Sequence, residues 1–229
     1  MTRVRWLRAS WPMAMRSLAT RLKQYSFSND VPDGFVLERV RDEFIEGKHF
    51  ERVVVDEVIR DPFGRETEFR RVIYREVDFV FSAESPQIEL RQFPRNMRSF
   101  FSRIAEAGEF KVTLAPLRVD VLGWAERVAD RFPQGFRIDS AQLSDVSLDG
   151  STKARVTMFG PDDIREAYQL FTRQREHVLD RLQVNIRTDD RVIRCELSTD
   201  ATLRSRDVIG SDLAEKIRRA LPPLTEIET

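Results

Sequence analysis

Two long runs of strand-forming residues, joined by one tight turn, constrain the fold of this chain more than any other feature. Residues 50–60 are rich in β-branched side chains, which favour extended backbone. Residues 61–64, Asp-Pro-Phe-Gly, place proline and glycine where a reverse turn uses them. The chain then returns through apolar residues between Phe69 and Phe81. The pattern predicts a hairpin within a set of antiparallel strands over residues 35–91.

The returning run changes its phase part-way along. Phe69 and Val77 stand at odd positions, whereas Val72 and Tyr74 between them stand at even positions. One extra residue in a strand produces such a shift, so the pattern predicts a β-bulge near Tyr74.

The rest of the chain alternates between helical and strand periodicity. Helices are predicted at 97–108 and 120–132. Beyond them, residues 136–158 predict a hairpin around the Asp149–Gly150 turn. A helix after Gly160, a strand pair over 182–197 and a last helix from Ser211 complete the order β-β-α-β-β-α. Hairpins separated by helices favour an α+β fold, with an antiparallel sheet and helices on one face.

Pro133 is predicted to mark a boundary between two regions. Residues 1–132 form a strand-rich region with a basic N-terminal segment and two helices, and residues 133–229 hold the alternating hairpins and helices. Since no long linker separates the two regions, they could pack as one body.

The charge of the chain is balanced in total but uneven along its length. Its 229 residues carry 38 basic and 38 acidic side chains, yet no acidic residue precedes Asp30. Six basic residues fall before that point: Arg3, Arg5, Arg8, Arg16, Arg21 and Lys23. Such asymmetry indicates an anionic partner. An acid-free, amphipathic, Arg-bearing start is also typical of a mitochondrial presequence, so the first 29 residues are either a targeting segment or part of the fold.

A second basic segment interleaves arginines with aromatic residues, between Arg91 and Arg103. Arginines can hold phosphates while aromatic rings stack on bases. The alternative is an ordinary helix with an apolar stripe and solvated arginines. The residues predicted to bind an anionic partner are Arg3, Arg5, Arg8, Arg91, Arg95, Arg98 and Arg103, and the same surface is expected to include Arg16 and Arg21.

The single cysteine and the two histidines are predicted to be structural. Cys195 alternates with apolar residues like a buried strand residue, and one thiol cannot form an internal disulfide. The chain therefore suits a reducing compartment, and we expect it in the cytoplasm. His49 beside Gly47 and Lys48 predicts an exposed turn, and His177 is expected at the C-terminal end of a helix.

The common motifs for nucleotide, zinc and hydrolase sites are missing, so the sequence predicts no cofactor and no metal. One acidic pair could suit a metal-dependent nuclease. Asp78 and Glu89 are predicted on neighbouring strands, where carboxylates can hold a divalent metal. Arg91 stands where such sites use lysine, and arginine is a poor proton shuttle. The alternative is a solvated face of a sheet.

The leading prediction is a non-catalytic cytoplasmic binding or adaptor protein that contacts nucleic acid, or an acidic protein, through arginine-rich segments. Two alternatives stay open, the nuclease using Asp78 and Glu89 and a structural subunit of a larger assembly. No run of about 18 apolar residues exists, so no membrane-spanning helix is predicted. The sequence leaves the oligomeric state open.

Overall fold

A computed structural model describes residues 1–133, 135–149 and 151–222. It contains a mostly antiparallel sheet and five helices; strands account for 45% of the residues and helices for 22%. This agrees with the predicted α+β class. Gly150 of the predicted Asp149–Gly150 turn lies outside the described residues. None of the helices in the described ranges is both long and apolar enough to cross a membrane.

The strands of the described chain are β1 (Thr2–Ser10), β2 (Asp33–Val40), β3 (Phe44–Arg60), β4 (Glu66–Ser82), β5 (Ile88–Arg91), β6 (Thr113–Pro116), β7 (Phe136–Ser147), β8 (Lys153–Phe159), β9 (Val178–Arg187), β10 (Val192–Ser198) and β11 (Thr202–Ser205). The helices are α1 (Met15–Leu22), α2 (Arg98–Ala107), α3 (Val121–Asp130), α4 (Arg165–Thr172) and α5 (Ser211–Arg219), with a short 3-10 helix at Lys23–Tyr25. The order after β7 contains one strand, β11, that the predicted order lacks.

The chain forms two compact units, which we call the N-terminal unit (Trp6–Ala115) and the C-terminal unit (Met1–Arg5 with Pro116–Thr229). The division falls at residues 115 and 116, whereas the sequence predicted a boundary at Pro133. The boundary moves because α3, which precedes Pro133, packs against β9 and β10 of the C-terminal unit. Asp120 begins this helix by accepting a hydrogen bond from the backbone of Leu122 at 3.1 Å.

The N-terminal unit has the strand order β2-β3-β4-β5-β1, with β6 also paired to β1. Its core face collects aromatic residues at alternate positions of the strands and on α2. Phe79 stacks on Phe81 with ring centroids 4.3 Å apart, and Phe100 of α2 lies 5.7 Å from Phe79. The amphipathic helix α1 adds Leu18 and Leu22, both fully buried, to the same core.

The hairpin of β3 and β4 is the longest element of the N-terminal unit. The two strands pair without interruption from Phe44 opposite Ser82 to Arg60 opposite Glu66. The predicted bulge near Tyr74 is therefore wrong. Solvent reaches both faces of the outer hairpin, so neither face has to be kept apolar. Apolar side chains therefore occupy both faces, and the apolar residues change from odd to even positions without a bulge.

The C-terminal unit has the strand order β1-β11-β10-β9-β7-β8, to which β1 contributes Thr2–Arg5. One face of this sheet is apolar and packs against α3, which in turn contacts α5. Trp124 of α3, fully buried, donates its ring N–H to the carbonyl of Ile217 in α5 at 3.1 Å. The buried face includes Cys195, as predicted, and burial raises the pKa of its thiol to about 12.

A buried polar contact ties β1 to β5 in the N-terminal unit. Trp6, fully buried, donates its indole N–H to Oε2 of Glu89 at 2.8 Å. Oε1 of the same carboxylate accepts a hydrogen bond from Arg91 at 2.6 Å. A buried carboxylate is tolerated only when its oxygens are hydrogen-bonded, so Trp6 and Arg91 make Glu89 compatible with this position.

We expect Trp6→Phe to lower the free energy of unfolding by about 1–3 kcal/mol, because one oxygen of Glu89 loses its donor. Urea unfolding of Trp6→Phe, Glu89→Met and the double variant measures the coupling between the two side chains. The double variant should lose less than the sum of the single losses, because it leaves no unpaired carboxylate. Strictly additive losses would contradict the role given to this hydrogen bond.

Candidate anion-binding face

The outward face of the C-terminal sheet is made by the two-residue alternation of its strands. In β10, Ile193, Cys195 and Leu197 are buried, whereas Arg194 and Glu196 between them point to the other side. The pairing register carries this alternation across β9 and β11. Gln183, Glu196 and Arg204 therefore lie in one row on the same side. We call this side the open face.

The open face is dominated by arginine. Seven arginines project from β1, β7, β9, β10 and β11: Arg3 and Arg5 of β1, Arg137 of β7, Arg181 and Arg187 of β9, Arg194 of β10 and Arg204 of β11. Three carboxylates within the described residues form ion pairs with them: Asp139, Glu196 and Asp200. These arginines therefore outnumber the carboxylates that pair with them.

Most ion pairs of the open face have long separations or are shared, whereas Arg137 lies 2.8 Å from Asp139. Glu196 lies 3.4 Å from both Arg181 and Arg204, and Asp200 lies 3.4 Å from Arg5. Arg194 reaches Asp139 only at 3.7 Å, with 59% of its side chain exposed. Partly exposed ion pairs of this kind contribute little to stability, so these guanidinium groups can change partner at low cost.

Arg3 shows the crowding of positive charge most clearly. It faces Arg204 directly across the β1–β11 pair. Burial lowers the pKa of Arg3, and the neighbouring charges of Arg204 and Arg5 lower it further. The group remains protonated, since arginine does not lose its proton in proteins. An anion placed between these side chains would relieve their repulsion.

Asp200 partly balances this crowding at the edge of the face. Burial alone would raise the pKa of Asp200, but hydrogen bonds from Ser198 and Thr202 and the charges of Arg5 and Arg204 lower it on balance. The carboxylate is therefore ionised at neutral pH. Its Oδ1 accepts a hydrogen bond from the hydroxyl of Ser198 at 2.7 Å, which fixes its position.

A hollow of about 500 Å³ lies beside the most crowded arginines. Arg194, Arg204 and Arg206 line it together with Gln183 and Glu196. Arg194 donates to the side-chain carbonyl of Gln183 at 2.8 Å, which holds its guanidinium over the hollow's edge. A concave, basic surface with several forked donors suits a phosphate or carboxylate group.

The sequence-predicted binding residues divide between the two units. Arg3 and Arg5 stand on the open face of the C-terminal unit. Arg8 lies half-buried in the C-terminal part of β1, which belongs to the N-terminal unit. Arg91 is engaged by Glu89, and its second contact is Glu46 at 3.5 Å.

Five other arginines of the N-terminal unit differ in their surroundings. Arg103 makes a forked contact with Asp33 at 2.8 and 3.0 Å and also bonds Glu106 at 2.7 Å. Arg16 and Arg21 form ion pairs with Asp42 and Glu109 respectively. Arg95 and Arg98 are exposed. Neither of their side chains makes an ion pair within the described part of the chain.

Sequence reasoning missed the arginines of β9–β11. Arg181, Arg194 and Arg204 are scattered over 24 residues of sequence and form no run. Each occupies the polar phase of a strand whose other phase is apolar, and that alternation was the available signal. The local sequence does not show that these three strands are hydrogen-bonded neighbours, or which of their residues lie opposite each other.

The acidic pair considered for a nuclease lies on the outer face of the N-terminal sheet. Asp78 pairs with Arg91 in the β4–β5 ladder, and Glu89 lies diagonally across from it. Burial raises the pKa of Asp78, although Lys48 at 3.1 Å opposes that shift. Contacts with Glu76 and Asp78 raise the pKa of Lys48, so the amine stays protonated.

Both oxygens of Glu89 already accept hydrogen bonds, from Trp6 and Arg91. Within the described residues, no group of three or more His, Cys, Asp and Glu side chains is arranged to hold a metal ion. The contacts around Glu89 therefore give the nuclease alternative no specific support.

His49 is 1% exposed in β3, so the prediction of an exposed turn is wrong. The turn-like Gly47 is instead a strand residue, where an added Cβ would stand 2.5 Å from the carbonyl oxygen of Val36. The His49 ring contacts Phe35 and Phe100 edge-on, and its Nε2 lies 3.5 Å from Asp33. His177, by contrast, lies between α4 and β9 as expected and bonds the hydroxyl of Tyr168 at 2.9 Å.

Comparison with known proteins adds no assignment. No family model matches the chain, and no curated protein matches it significantly. Function has to be argued from the face itself.

Stability should fall as the pH decreases below about 6.5, the pKa of an unfolded histidine. Burial lowers the pKa of His49, with Arg103 adding to the shift and Asp33 and Glu51 opposing it. Between that lowered pKa and about 6.5, the unfolded chain binds a proton that the folded chain does not, which favours unfolding. Urea unfolding between pH 8 and pH 5, above the ordinary pKa values of carboxylates, measures the slope.

The His49→Gln variant should lose most of that slope, since it removes the buried titrating group. His177→Gln is the matched control and should keep it. An unchanged slope in His49→Gln would show that other groups cause the pH dependence.

Proposed function

We propose that the C-terminal unit binds nucleic acid through the phosphate groups, using the open face. The observation that carries this proposal is the excess of arginines over carboxylates on one sheet face, beside a basic hollow. Arginine forks match phosphate oxygens, and release of condensed counterions drives such binding. The protein is then a binding or adaptor protein that needs no catalytic group, and we propose that it acts in the cytoplasm.

The rows of the open face offer contacts beyond phosphate. One row runs from Phe159 of β8 through Ser140, Gln183 and Glu196 to Arg204. Strands lie about 4.8 Å apart, so a row of this kind spans about 19 Å. Phe159 is 82% exposed and could stack on a base, while the amide and carboxylate could meet base edges.

A single-stranded nucleic acid fits this arrangement better than a duplex. An unpaired strand exposes its bases, so a base can stack on Phe159 while its phosphates lie toward the arginines. Duplex binding would use the phosphates alone. An acidic protein would also be attracted by the arginines, but it would gain nothing from the exposed ring.

The first test is binding of the full chain to labelled single- and double-stranded DNA and RNA at several salt concentrations. If about four phosphates are contacted, the slope of log K against log salt should be about −3 for a single strand. Arg181→Ala with Arg204→Ala should weaken binding about ten-fold or more, and reduce the salt slope by about one to two.

Two matched variants locate the binding surface. Arg16→Ala removes an exposed, ion-paired arginine of the N-terminal unit and should leave affinity within about two-fold. Arg95→Ala with Arg98→Ala tests the basic segment at the start of α2, and a loss of affinity confined to this variant would move the site there. No binding even at low salt would overturn the proposal. Binding by polyglutamate at equal strength would point to an acidic protein instead.

Removing the central carboxylate should have the opposite effect on affinity. Glu196→Gln abolishes the ion pairs with Arg181 and Arg204 and frees both guanidinium groups for phosphate. We expect this variant to bind single-stranded nucleic acid about three- to ten-fold more tightly at low salt, with a steeper salt slope. Weaker binding by Glu196→Gln would mean that the carboxylate positions the arginines and is required for binding.

A further inference from the structure

The outer part of the β3–β4 hairpin has no strand beside it in the N-terminal unit. β2 pairs with β3 only up to Glu51, and β5 pairs with β4 only from Asp78 onward. The two strands continue together beyond these points to the turn that joins them. We call residues 53–73 the arm. Both of its edges therefore expose backbone hydrogen-bonding groups.

The arm is apolar on both faces. Five of its side chains are at least 44% exposed although they are large and apolar: Val54, Val58, Ile59, Phe69 and Val72. Phe63 at the tip is 91% exposed. Exposed apolar residues gathered on one short element indicate a surface that another chain covers.

Charged side chains of the arm are already paired across its two strands. Arg70 lies 3.7 Å from Asp56, and Arg71 forms an ion pair with Glu57. Near the tip, Arg60 lies 3.5 Å from Glu66. A strongly charged partner would have to compete with these ion pairs. A partner that carries both acidic and basic side chains therefore fits better.

The outer edge of β4 has no structural block to strand pairing, although charged side chains lie along it. Edge strands are commonly blocked by proline, lysine or a bulge. Residues 66–77 contain no proline, lysine or glycine, and the β3–β4 register has no shift. This edge can therefore accept another strand.

We propose that this edge pairs with the same edge of a second copy, antiparallel, about a two-fold axis through Phe69. The two β4 strands would then join the hairpins into one four-stranded ribbon, which covers the β4 edge of each arm. In such a pair, two residues face each other when their numbers add up to about 138, twice the number of the residue at the axis. Phe69 therefore faces Phe69 of the second copy.

The charges around Phe69 are complementary to themselves in this register. Glu68 of each copy faces Arg70 of the other, and Asp56 on the far side of Arg70 completes an acid–base–acid row. Opposed unlike charges on a sheet are favourable, while like charges are unfavourable. Centring the pair on Glu68 or on Arg70 would place like charges opposite each other. The two Phe69 rings gain a contact at the axis.

Sedimentation velocity of the full chain over a range of micromolar concentrations measures the dimer. Glu68→Arg and Arg70→Glu should each raise the dissociation constant about ten-fold or more, because each places two pairs of like charges in the interface. A mixture of the two variants should form a heterodimer, since the arginine introduced in one chain then faces the glutamate introduced in the other, and the native Glu68 and Arg70 also face each other. Arg60→Glu is the matched control on the opposite strand and should leave the dimer intact.

A cross-link tests the register independently of charge. In Phe69→Cys the two thiols would lie opposite each other, with Cα atoms about 4.5–5.5 Å apart, and diamide should oxidise them to a disulfide. Phe63→Cys should not cross-link, because Phe63 would face Arg75 of the second copy. Cys195 is 1% exposed and contributes no background.

Cross-linking at position 69 but not at 63, together with recovery of the dimer in the mixture, supports the proposal. A chain that stays monomeric over the whole range overturns it, as does a dimer that Glu68→Arg leaves unchanged. Circular dichroism melts of each variant show that the fold is kept, so loss of the dimer cannot be mistaken for unfolding. The nucleic-acid assay is unaffected by this outcome, because its residues lie in the other unit.

Discussion

Pairing of antiparallel strands in a fixed register is the constraint on which the rest of this structure depends. It satisfies the backbone hydrogen bonds, and it sends successive side chains to opposite faces. In the C-terminal unit one consequence is a core of Ile193, Leu197 and their neighbours under α3. The other is a second face on which arginines from distant parts of the sequence stand side by side.

The same constraint has a different result in the N-terminal unit. Where β2 and β5 flank the central hairpin, one face is covered by α1 and α2 and the aromatic core forms. Where those strands end, the hairpin continues with both faces in solvent. A ribbon of two strands is marginal alone in water, and cross-strand ion pairs such as Arg71 with Glu57 provide only modest support. The exposed strand edge and the exposed apolar side chains of the arm thus have the same cause, which is that no other element of the N-terminal unit packs beside them.

Buried polar groups mark the places where local sequence reasoning failed. His49 follows Gly47-Lys48, which suggests a turn, yet the ring is enclosed by Phe35 and Phe100. Glu89 resembles a surface carboxylate in sequence but is held by Trp6, more than eighty residues away. Such partners are distant in sequence, so only the folded chain reveals that these polar groups are satisfied.

The sequence by itself determined the long hairpin and its turn, helices α2 and α3, the buried Cys195 and the α+β class, because each rests on local periodicity or turn chemistry. It identified Arg3 and Arg5 as candidate binding residues from their acid-free surroundings. Only the tertiary structure decided that Arg181, Arg194 and Arg204 accompany them, and that Arg91 and Arg103 are engaged by carboxylates. The physical reason is that register and strand order are long-range properties: periodicity tells which residues share a face of one strand, but not which strand lies beside it.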